Sequence, residues 1–320
     1  MKALITGGYG FVGRHLARHL VSCGDDVALT YIPSEQTPED SSVFTLPKSV
    51  QSVALDVTDR EAVFQIVSLF QPDVIYHLAA KTFVPDAENN VFDVFQVNTF
   101  GTLNLLEAIA THSKKSRFLF VSSSEVYGEP WPGSLPFSED TPMRPISTYG
   151  VTKSAADVAV FKMSRSDNIH AVRVRPFPHI GPGQSDNFAV SSFAKQVAEI
   201  KLGRREPVIK VGNLEARRDY SDVSDIVRGY REAVLNGQRG EVYNLCSGQS
   251  VEIGDLLQRL IKVAEVEVEV QVDPDRLRPV DIPDSFGTYN RAQKHFGWKP
   301  RIDLEATLHS IFAHWVETLS

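Results

Sequence analysis

A glycine-rich turn near the start of the chain constrains the fold more than any other feature. The turn follows an apolar run at residues 3–6 and precedes residues 12–23, whose apolar side chains recur at helical spacing. In a strand–turn–helix setting, glycines let the backbone approach a pyrophosphate at a helix N-terminus. The residues predicted to form this dinucleotide site are Gly7, Gly10, Phe11, Val12 and Gly13.

The first half of the 320-residue chain alternates short apolar runs with helical patterns. The predicted strands are residues 3–6, 27–31, 53–55, 74–78 and 118–122. The predicted helices between them are residues 12–23, 60–70 and 91–111. Strands that alternate with helices are typical of a parallel sheet covered on both faces. The predicted fold class is therefore α/β: a Rossmann-type doubly wound parallel sheet with a smaller, interleaved α/β substrate lobe.

The domain organisation is predicted from where this alternation loosens. A loop rich in proline and glycine follows residue 175, and the later elements are mixed. Residues 242–246 are apolar enough to rejoin the first sheet. We expect a dinucleotide-binding domain over residues 1–175, to which residues 223–248 return, and a substrate lobe made mainly of residues 176–320.

A Tyr-x-x-x-Lys step, Tyr149 to Lys153, lies downstream of the glycine turn. On a helix, positions i and i+4 share one face, so the lysine ammonium is expected beside the phenol. An adjacent positive charge favours the phenolate, so we expect the pKa of Tyr149 to fall below its ordinary value of about 10. This pair is typical of proton transfer to and from a carbonyl/alcohol couple, and with the glycine turn it indicates an NAD(P)-dependent enzyme.

Three later segments fit the same cofactor. Asp56 and Val57 follow a strand and are expected at the adenine edge, and Asn98 lies on the long predicted helix. The alternatives are a solvated aspartate and a surface asparagine. A strand end with small residues, where a dinucleotide would cross, carries Leu78, Ala79 and Ala80; the alternative there is simple packing. The second strand ends without an acidic residue for the ribose or an arginine for a 2′-phosphate, so NADP or NAD is expected with the preference open.

The composition of the chain limits the classes of partner that the protein is expected to bind. A net charge of −7 argues against a nucleic-acid surface, which needs a basic face. Cys23 and Cys246 are expected to be reduced thiols, and no Cys/His group has the spacing of a metal site. The apolar run at the start is too short for a membrane span. We expect a cytoplasmic protein without a metal, a nucleic-acid partner or a membrane partner.

Taken together, the motifs resemble those of the extended short-chain dehydrogenase/reductase family, in its sugar-nucleotide branch. They are the glycine turn, residues 77–80, Asn98, residues 122–128 and the Tyr-x-x-x-Lys step. The resemblance implies that Ser123 and Tyr149 hydrogen-bond the sugar oxygen that is oxidised or reduced. It also implies that Lys153 holds the nicotinamide ribose, and that a homodimer forms through helices 91–111 and 149–164.

Residues 179–185, 211–216 and 277–279 are similar to the narrower group of GDP-4-keto-6-deoxy-mannose reductases. This likeness implies a GDP-sugar substrate, with arginines on its phosphates and with Asn213 and Glu215 near guanine. The expected substrate-binding residues are Ser124, Glu125, His179, Asn213, Arg218 and Arg278. Pro178 stands where the family usually has Asn. Asp281 stands where the dehydratases usually have Glu, which favours the reductase pattern.

Glu125 leaves a second reaction open. In 4,6-dehydratases of the family, a glutamate at this position works with neighbouring hydroxyls to eliminate water from the sugar. The leading hypothesis is a 4-keto-6-deoxyhexose reductase with Ser123, Glu125, Tyr149 and Lys153 at its catalytic site. The alternatives are a 4,6-dehydratase or epimerase that recycles a tightly bound cofactor, and a non-catalytic dinucleotide sensor on the same fold.

Overall fold

The computed structural model of the protein describes residues 1–32, 45–277 and 282–320. The strands are β1 (Lys2–Thr6), β2 (Asp26–Tyr31), β3 (Gln51–Ala54), β4 (Val74–His77), β5 (Arg117–Val121), β6 (His170–Pro176), β7 (His179–Ile180), β8 (Val208–Val211), β9 (Arg217–Arg218), β10 (Ser221–Asp222), β11 (Val242–Leu245), β12 (Val251–Glu252), β13 (Glu269–Val272) and β14 (Asp284–Ser285). The α-helices are α1 (Phe11–Ser22), α2 (Arg60–Phe70), α3 (Val84–Asn89), α4 (Val91–Phe95), α5 (Gly101–His112), α6 (Thr148–Ser166), α7 (Ala189–Lys201), α8 (Val223–Asn236), α9 (Ile253–Ala264), α10 (Asn290–Phe296) and α11 (Leu304–Leu319).

The main sheet has seven strands in the order β11-β6-β5-β4-β1-β2-β3, and each neighbouring pair is parallel. Successive side chains of a strand point to opposite faces. Thus Ala3 and Ile5 pack with residues of α1 and α8, whereas Leu4 packs with residues of α2, α5 and α6. The predicted α/β doubly wound sheet is confirmed.

Strand β11 lies at the edge of this sheet beside β6, so residues 242–245 do rejoin it. A separate apolar cluster joins α7, α9 and α11 with β8, and its members include Phe193, Ile209, Leu257 and Ile311. This cluster is the core of the smaller lobe. The exact domain boundaries stay a prediction.

The long helix predicted over residues 91–111 is not continuous. Helix α4 leads into a π-helical turn, Gln96–Phe100, before α5 begins. A π turn inserts an extra residue into a helix and is often found where a side chain is needed in a particular direction. Here the turn carries Asn98 into the interior, where its side chain is fully buried.

Helix α6 is fixed to the sheet by a buried ion cluster. The Asp157 carboxylate lies 2.6 Å from a guanidinium nitrogen of Arg173 and 3.1 Å from one of Arg175, both on β6. The two arginines hold the pKa of Asp157 below its ordinary range despite its burial, which acts the other way. Because Asp157 is one helical turn after Lys153, this cluster sets the depth of the Tyr-x-x-x-Lys face.

Replacing Asp157 with Asn removes the charge but keeps the shape. It leaves two buried guanidinium groups uncompensated, and we expect the free energy of unfolding to fall by about 3–5 kcal/mol. Urea unfolding followed by circular dichroism measures this loss. The control is Glu305→Gln, which breaks an Arg259–Glu305 pair whose side chains are 40% and 49% exposed. It should cost less than about 1 kcal/mol, and equal losses in the two variants would contradict the role given to Asp157.

Candidate active site

The glycine turn joins β1 to α1 by a close approach of backbones. Gly7 has a φ of +68°, and a Cβ built on it would lie 2.8 Å from the Cα of Ala79. A Cβ on Gly13 would lie 2.5 Å from the carbonyl oxygen of Gly8. Only glycine fits these two positions, and Gly10, the N-cap of α1, provides no side chain to cap the helix. The first N–H groups of α1 can therefore reach a pyrophosphate, and the turn fits a dinucleotide.

The ends of the neighbouring strands meet this turn. The Leu78 amide donates to the Thr6 carbonyl at 3.1 Å, which draws residues 78–80 alongside the glycines. After β3, two strands from β1, one carboxylate oxygen of Asp56 accepts from both the amide and the hydroxyl of Thr58 at 2.8 Å. Val57 packs against Gly101 of α5, where a Cβ would come within 2.7 Å of it. The parallel strands thus bring the predicted cofactor residues together at the carboxyl-terminal ends of the strands.

Asn98 connects this edge to α6. Its side-chain oxygen accepts from the Lys81 amide at 2.8 Å, and its nitrogen donates to the Lys81 carbonyl at 3.1 Å. The same nitrogen donates to the Thr152 hydroxyl at 3.0 Å. Asn98 is therefore not a surface asparagine. Its side chain holds the loop after β4 against Thr152, the residue that precedes Lys153.

His77 extends this buried network beneath the glycine turn. Its ring nitrogens lie 2.7 Å from the Thr6 hydroxyl and 2.9 Å from the Thr102 hydroxyl. Burial, with a smaller contribution from the Lys153 charge, lowers the pKa of His77 to about 3. The ring is neutral at physiological pH, and its hydrogen bonds link β4 to Thr6 on β1 and to Thr102 on α5.

Tyr149 and Lys153 lie on the buried face of α6, which begins where the Ser147 side chain accepts from the Gly150 amide. Ser123 and Glu125 approach from the turn after β5, where the Ser123 hydroxyl accepts from the Glu125 amide at 3.1 Å. The Ser123 hydroxyl also interacts with the Tyr149 phenol, and the Glu125 carboxylate is close enough to act on its charge. The structure thus brings together three of the predicted catalytic residues, Ser123, Glu125 and Tyr149, and Lys153 lies one helical turn after Tyr149 on the same buried face.

The expected lowering of the Tyr149 pKa is wrong for this structure. Burial, the largest influence, raises the pKa of Tyr149 to about 12. The hydrogen bond with Ser123 lowers this pKa, and the charge of Glu125 raises it. Burial also lowers the pKa of Lys153 to about 7, although Asp157 favours its charge. Loss of water, which the Tyr-x-x-x-Lys spacing does not reveal, is the largest influence on both groups. At neutral pH the phenol keeps its proton and is a donor.

His179 ties the smaller lobe to the start of α1. Its Nδ1 lies 2.9 Å from the Phe177 carbonyl, and its ring stacks on Phe11 with centroids 6.4 Å apart and an interplanar angle of 12°. A second link joins His15 Nε2 to the Pro182 carbonyl at 2.8 Å. Burial lowers the pKa of His179, so this ring is neutral beside the glycine turn.

The other predicted substrate residues lie in the smaller lobe or beside Ser123. Ser124 is buried in the turn after β5, and Asn213 is exposed after β8, where its side chain accepts from the Glu215 amide at 2.9 Å. One guanidinium nitrogen of Arg218 donates to the carbonyls of Arg217 and Ile282, at 2.8 and 2.6 Å. Arg278 and Asp281 lie outside the described residues. Pro178 keeps a backbone role, since its carbonyl accepts from the Ser221 amide at 3.0 Å.

Sequence reasoning missed two supports of the site. Thr152 accepts from Asn98 and donates to the Tyr149 carbonyl at 2.8 Å, so it orients the helix turn between Tyr149 and Lys153. The ring of Phe120 lies under Lys153, with its centroid 4.5 Å from Nζ. Thr152 could have been found from its place inside the Tyr-x-x-x-Lys step. Phe120 gives no local signal, because any buried strand residue would fit its position.

Within the described parts of the chain, no helix is long and apolar enough to cross a membrane. Nor do the described residues include a group of three or more His, Cys, Asp or Glu side chains arranged to hold a metal ion.

Comparison with known proteins identifies the family. The model of the GDP-mannose 4,6 dehydratase family matches residues 4–311. GDP-6-deoxy-D-mannose reductase of Pseudomonas aeruginosa is 32% identical over 98% of this chain and 97% of its own length. The structure of RMD from Pseudomonas aeruginosa complexed with NADPH superposes with a TM-score of 0.86 at 31% identity, covering 99% of both chains.

UDP-glucose 4-epimerase of Thermotoga maritima, solved with UDP-glucose, has a TM-score of 0.90 at 27% identity and covers both chains in full. The resemblance to extended short-chain dehydrogenases/reductases is thereby confirmed. On the match of its sequence over nearly its whole length, the chain belongs to the GDP-mannose 4,6 dehydratase family.

Proposed function

We propose that the protein reduces the C4 ketone of a nucleotide-activated 4-keto-6-deoxyhexose, most specifically GDP-4-keto-6-deoxy-mannose to GDP-rhamnose. The observation that carries this proposal is the buried Tyr149 phenol, protonated at neutral pH and faced by the Ser123 hydroxyl. A proton donor and a second hydroxyl are what a ketone oxygen needs as it becomes an alcohol. The relative named GDP-6-deoxy-D-mannose reductase supports the choice of sugar.

The residues divide the work of the reaction. Bound reduced nicotinamide supplies the hydride. Tyr149 donates the proton to the carbonyl oxygen, and Ser123 hydrogen-bonds that oxygen and polarises it. Lys153 would hold the nicotinamide ribose, and its positive charge would stabilise the negative charge left on the phenol.

The glycine turn, with Gly7, Gly10, Phe11, Val12 and Gly13, is proposed to hold the pyrophosphate. The strand ends at residues 56–57 and 78–80 would bind the rest of NADP or NAD, with both cofactors open. Asn98 is assigned a positioning role, since its amide already bonds Lys81 and Thr152. Relatives with this fold bind either cofactor: RMD of Pseudomonas aeruginosa was solved with NADPH, and the Thermus thermophilus epimerase with NAD.

The substrate is proposed to lie between the catalytic face of α6 and the smaller lobe. Ser124, Glu125 and His179 are assigned to the sugar side. Asn213, Arg218 and Arg278 are assigned to the GDP. Arg218 would contact a phosphate through its guanidinium group, which also donates to the Arg217 and Ile282 carbonyls.

One observation favours a second reaction. The Glu125 carboxylate acts on the Tyr149 phenol and follows two serines, an arrangement that suits proton removal from a sugar carbon. A 4,6-dehydratase or epimerase needs no external reductant, because it returns the hydride to the sugar. Relatives at 27–29% identity are named GDP-mannose 4,6-dehydratase, so both reactions occur in this family.

The decisive assay mixes the purified protein with GDP-4-keto-6-deoxy-mannose and NADPH or NADH, and follows loss of reduced-nicotinamide absorbance. We expect one cofactor oxidised for each sugar. Tyr149→Phe should lower kcat by about 10²–10⁴-fold, because the proton donor is gone, while the Kd for the cofactor stays unchanged.

The matched control is Tyr127→Phe. The Tyr127 hydroxyl donates to Asn244 at 2.6 Å and accepts from Arg175, so its loss should affect stability and leave turnover. An active Tyr149→Phe protein would overturn the assignment. Conversion of GDP-mannose to a 4-keto product without added reductant, and no oxidation of NADPH or NADH in the first assay, would move it to the dehydratase.

Cofactor affinity should depend on pH through Lys153. The ammonium favours the anionic cofactor, and cofactor binding in turn raises the pKa of Lys153. Affinity should therefore be full below the free-protein pKa of about 7 and should weaken as pH rises through it. Fluorescence titrations of NADH and NADPH between neutral and alkaline pH measure this change.

Lys153→Met should bind more weakly and show a flat profile over that range. The control is Lys162→Met on the same helix, whose side chain is 67% exposed and which should behave like the unaltered protein. A sloping profile in Lys153→Met would show that another group controls binding.

A homodimer is proposed from an apolar surface shared by α4, the π turn and α6, next to α5. Phe92 is 88% exposed and Val158 52%, and the other exposed apolar side chains of this surface are Val91, Phe100, Val151 and Phe161. Such a patch is typical of an interface. It lies on the helices through which, by family resemblance, two copies pair as a four-helix bundle.

Analytical ultracentrifugation should give a dimer for the unaltered chain. Val158→Glu should shift it to a monomer, because a carboxylate would be buried at the interface without a partner. Leu69→Glu is the control, since Leu69 is 73% exposed and lies on α2, which is not one of the helices of the proposed interface. A monomer over a wide concentration range before any substitution would contradict the proposal.

We also place the protein in the cytoplasm. Cys23 and Cys246 are both free thiols, one exposed and one buried, which suits a reducing compartment. Recovery of the protein in a membrane or extracytoplasmic fraction would oppose this location.

A further inference from the structure

The ammonium of the lysine in the Tyr-x-x-x-Lys step lies over the face of an aromatic ring. Lys153 is buried, and its Nζ lies 4.5 Å from the centroid of Phe120 on β5. Phe120 is fully buried, and its strand lies between β4 and β6, paired in register with His77 and Arg173. The ring is therefore held by the centre of the sheet, while the lysine reaches it on a flexible four-carbon tether.

A buried ammonium needs compensation in this position. Asp157 on α6 favours the ammonium, and the Lys153 charge in turn lowers the pKa of His77 on β4. Tyr149 shares the buried face of α6, Arg173 and Arg175 on β6 pair with Asp157, and Glu125 follows β5. His77 is neutral, and the Asp157 carboxylate is shared by the two arginines at 2.6 and 3.1 Å. Asp157 still favours the Lys153 charge, but the same carboxylate faces two guanidinium groups, which reduces the negative charge available to the lysine.

The face of an aromatic ring carries partial negative charge and attracts a cation within about 6 Å, most strongly where water is excluded. Phe120 meets both conditions for Lys153. A leucine in its place would fill the same core and provide no such attraction.

We propose that Phe120 is a positioning residue of the active site, whose ring face holds the Lys153 ammonium charged and in line with Tyr149. This inference rests on the proposed role of Lys153 at the cofactor. Phe120 touches neither cofactor nor substrate in this assignment and acts only through the lysine. The charge that stabilises the reacting phenol therefore depends on a residue of the sheet core.

Phe118 supplies a matched control within the same strand. It is two residues earlier, so it points to the same face, and it is equally buried. Both rings lie beside His77, at centroid distances of 5.9 Å for Phe118 and 6.1 Å for Phe120. The two positions share packing and differ in the contact of Phe120 with Lys153.

The test is progressive fluorination, which withdraws electrons from the ring face with little change in volume. Full-length protein is made with mono-, di- and trifluorophenylalanine at position 120 or at position 118. The pH dependence of NADH and NADPH affinity is then measured by fluorescence, with thermal unfolding as a check of the fold. At position 120, the pH at which affinity falls should move down stepwise, by about one pH unit over the series.

At position 118 the same series should leave that pH unchanged. Unchanged profiles at position 120, or equal shifts at both positions, would overturn the proposal for Phe120. Lys153→Met is measured in parallel. If cofactor affinity in Lys153→Met still depends on pH, the proposed role of Lys153 itself is wrong. If affinity in Lys153→Met does not depend on pH, and fluorination at position 120 has no effect, only the proposed role of Phe120 is wrong.

Discussion

The site depends on one buried carboxylate. Asp157 pairs with two arginines of β6 and so fixes α6 against the sheet at a definite depth and rotation. The i, i+4 spacing then places Lys153 and Tyr149 on the same buried face, one and two turns earlier. Burial at that depth raises the pKa of the phenol, which stays protonated, and lowers the pKa of the ammonium, which can then lose its proton more easily. The chemistry of the site is thus set by how the helix is anchored as much as by the residues that react.

A second constraint links the cofactor edge to this helix. The π turn directs Asn98 inward, where it bonds the loop after β4 on one side and Thr152 on the other. Together with the Thr6–His77–Thr102 chain, this network keeps the glycine turn in register with the face of α6 that carries Tyr149 and Lys153. Polar groups buried here are satisfied by one another, which favours a single arrangement over several.

Much of the fold followed from sequence because its signals are local. The glycine turn sits between β1 and α1 as predicted, and the alternation of strands and helices gave the parallel sheet. Local signals did not reveal the π turn, because the apolar spacing of residues 91–111 suits a continuous helix. Nor did they give the sign of the Tyr149 pKa shift, since that depends on how much water the assembled lobes exclude. Phe120 and Asp157 matter through partners distant in sequence, and no local pattern marks them.

The stacking of Phe11 on His179 has a mechanical consequence. Phe11 is the first residue of α1, so the helix end suited to a pyrophosphate is also the point where the smaller lobe rests on the sheet domain. The His15–Pro182 contact adds a second fastening one turn along the same helix. A displacement of the smaller lobe would therefore be transmitted directly to α1, at the helix end that adjoins the glycine turn.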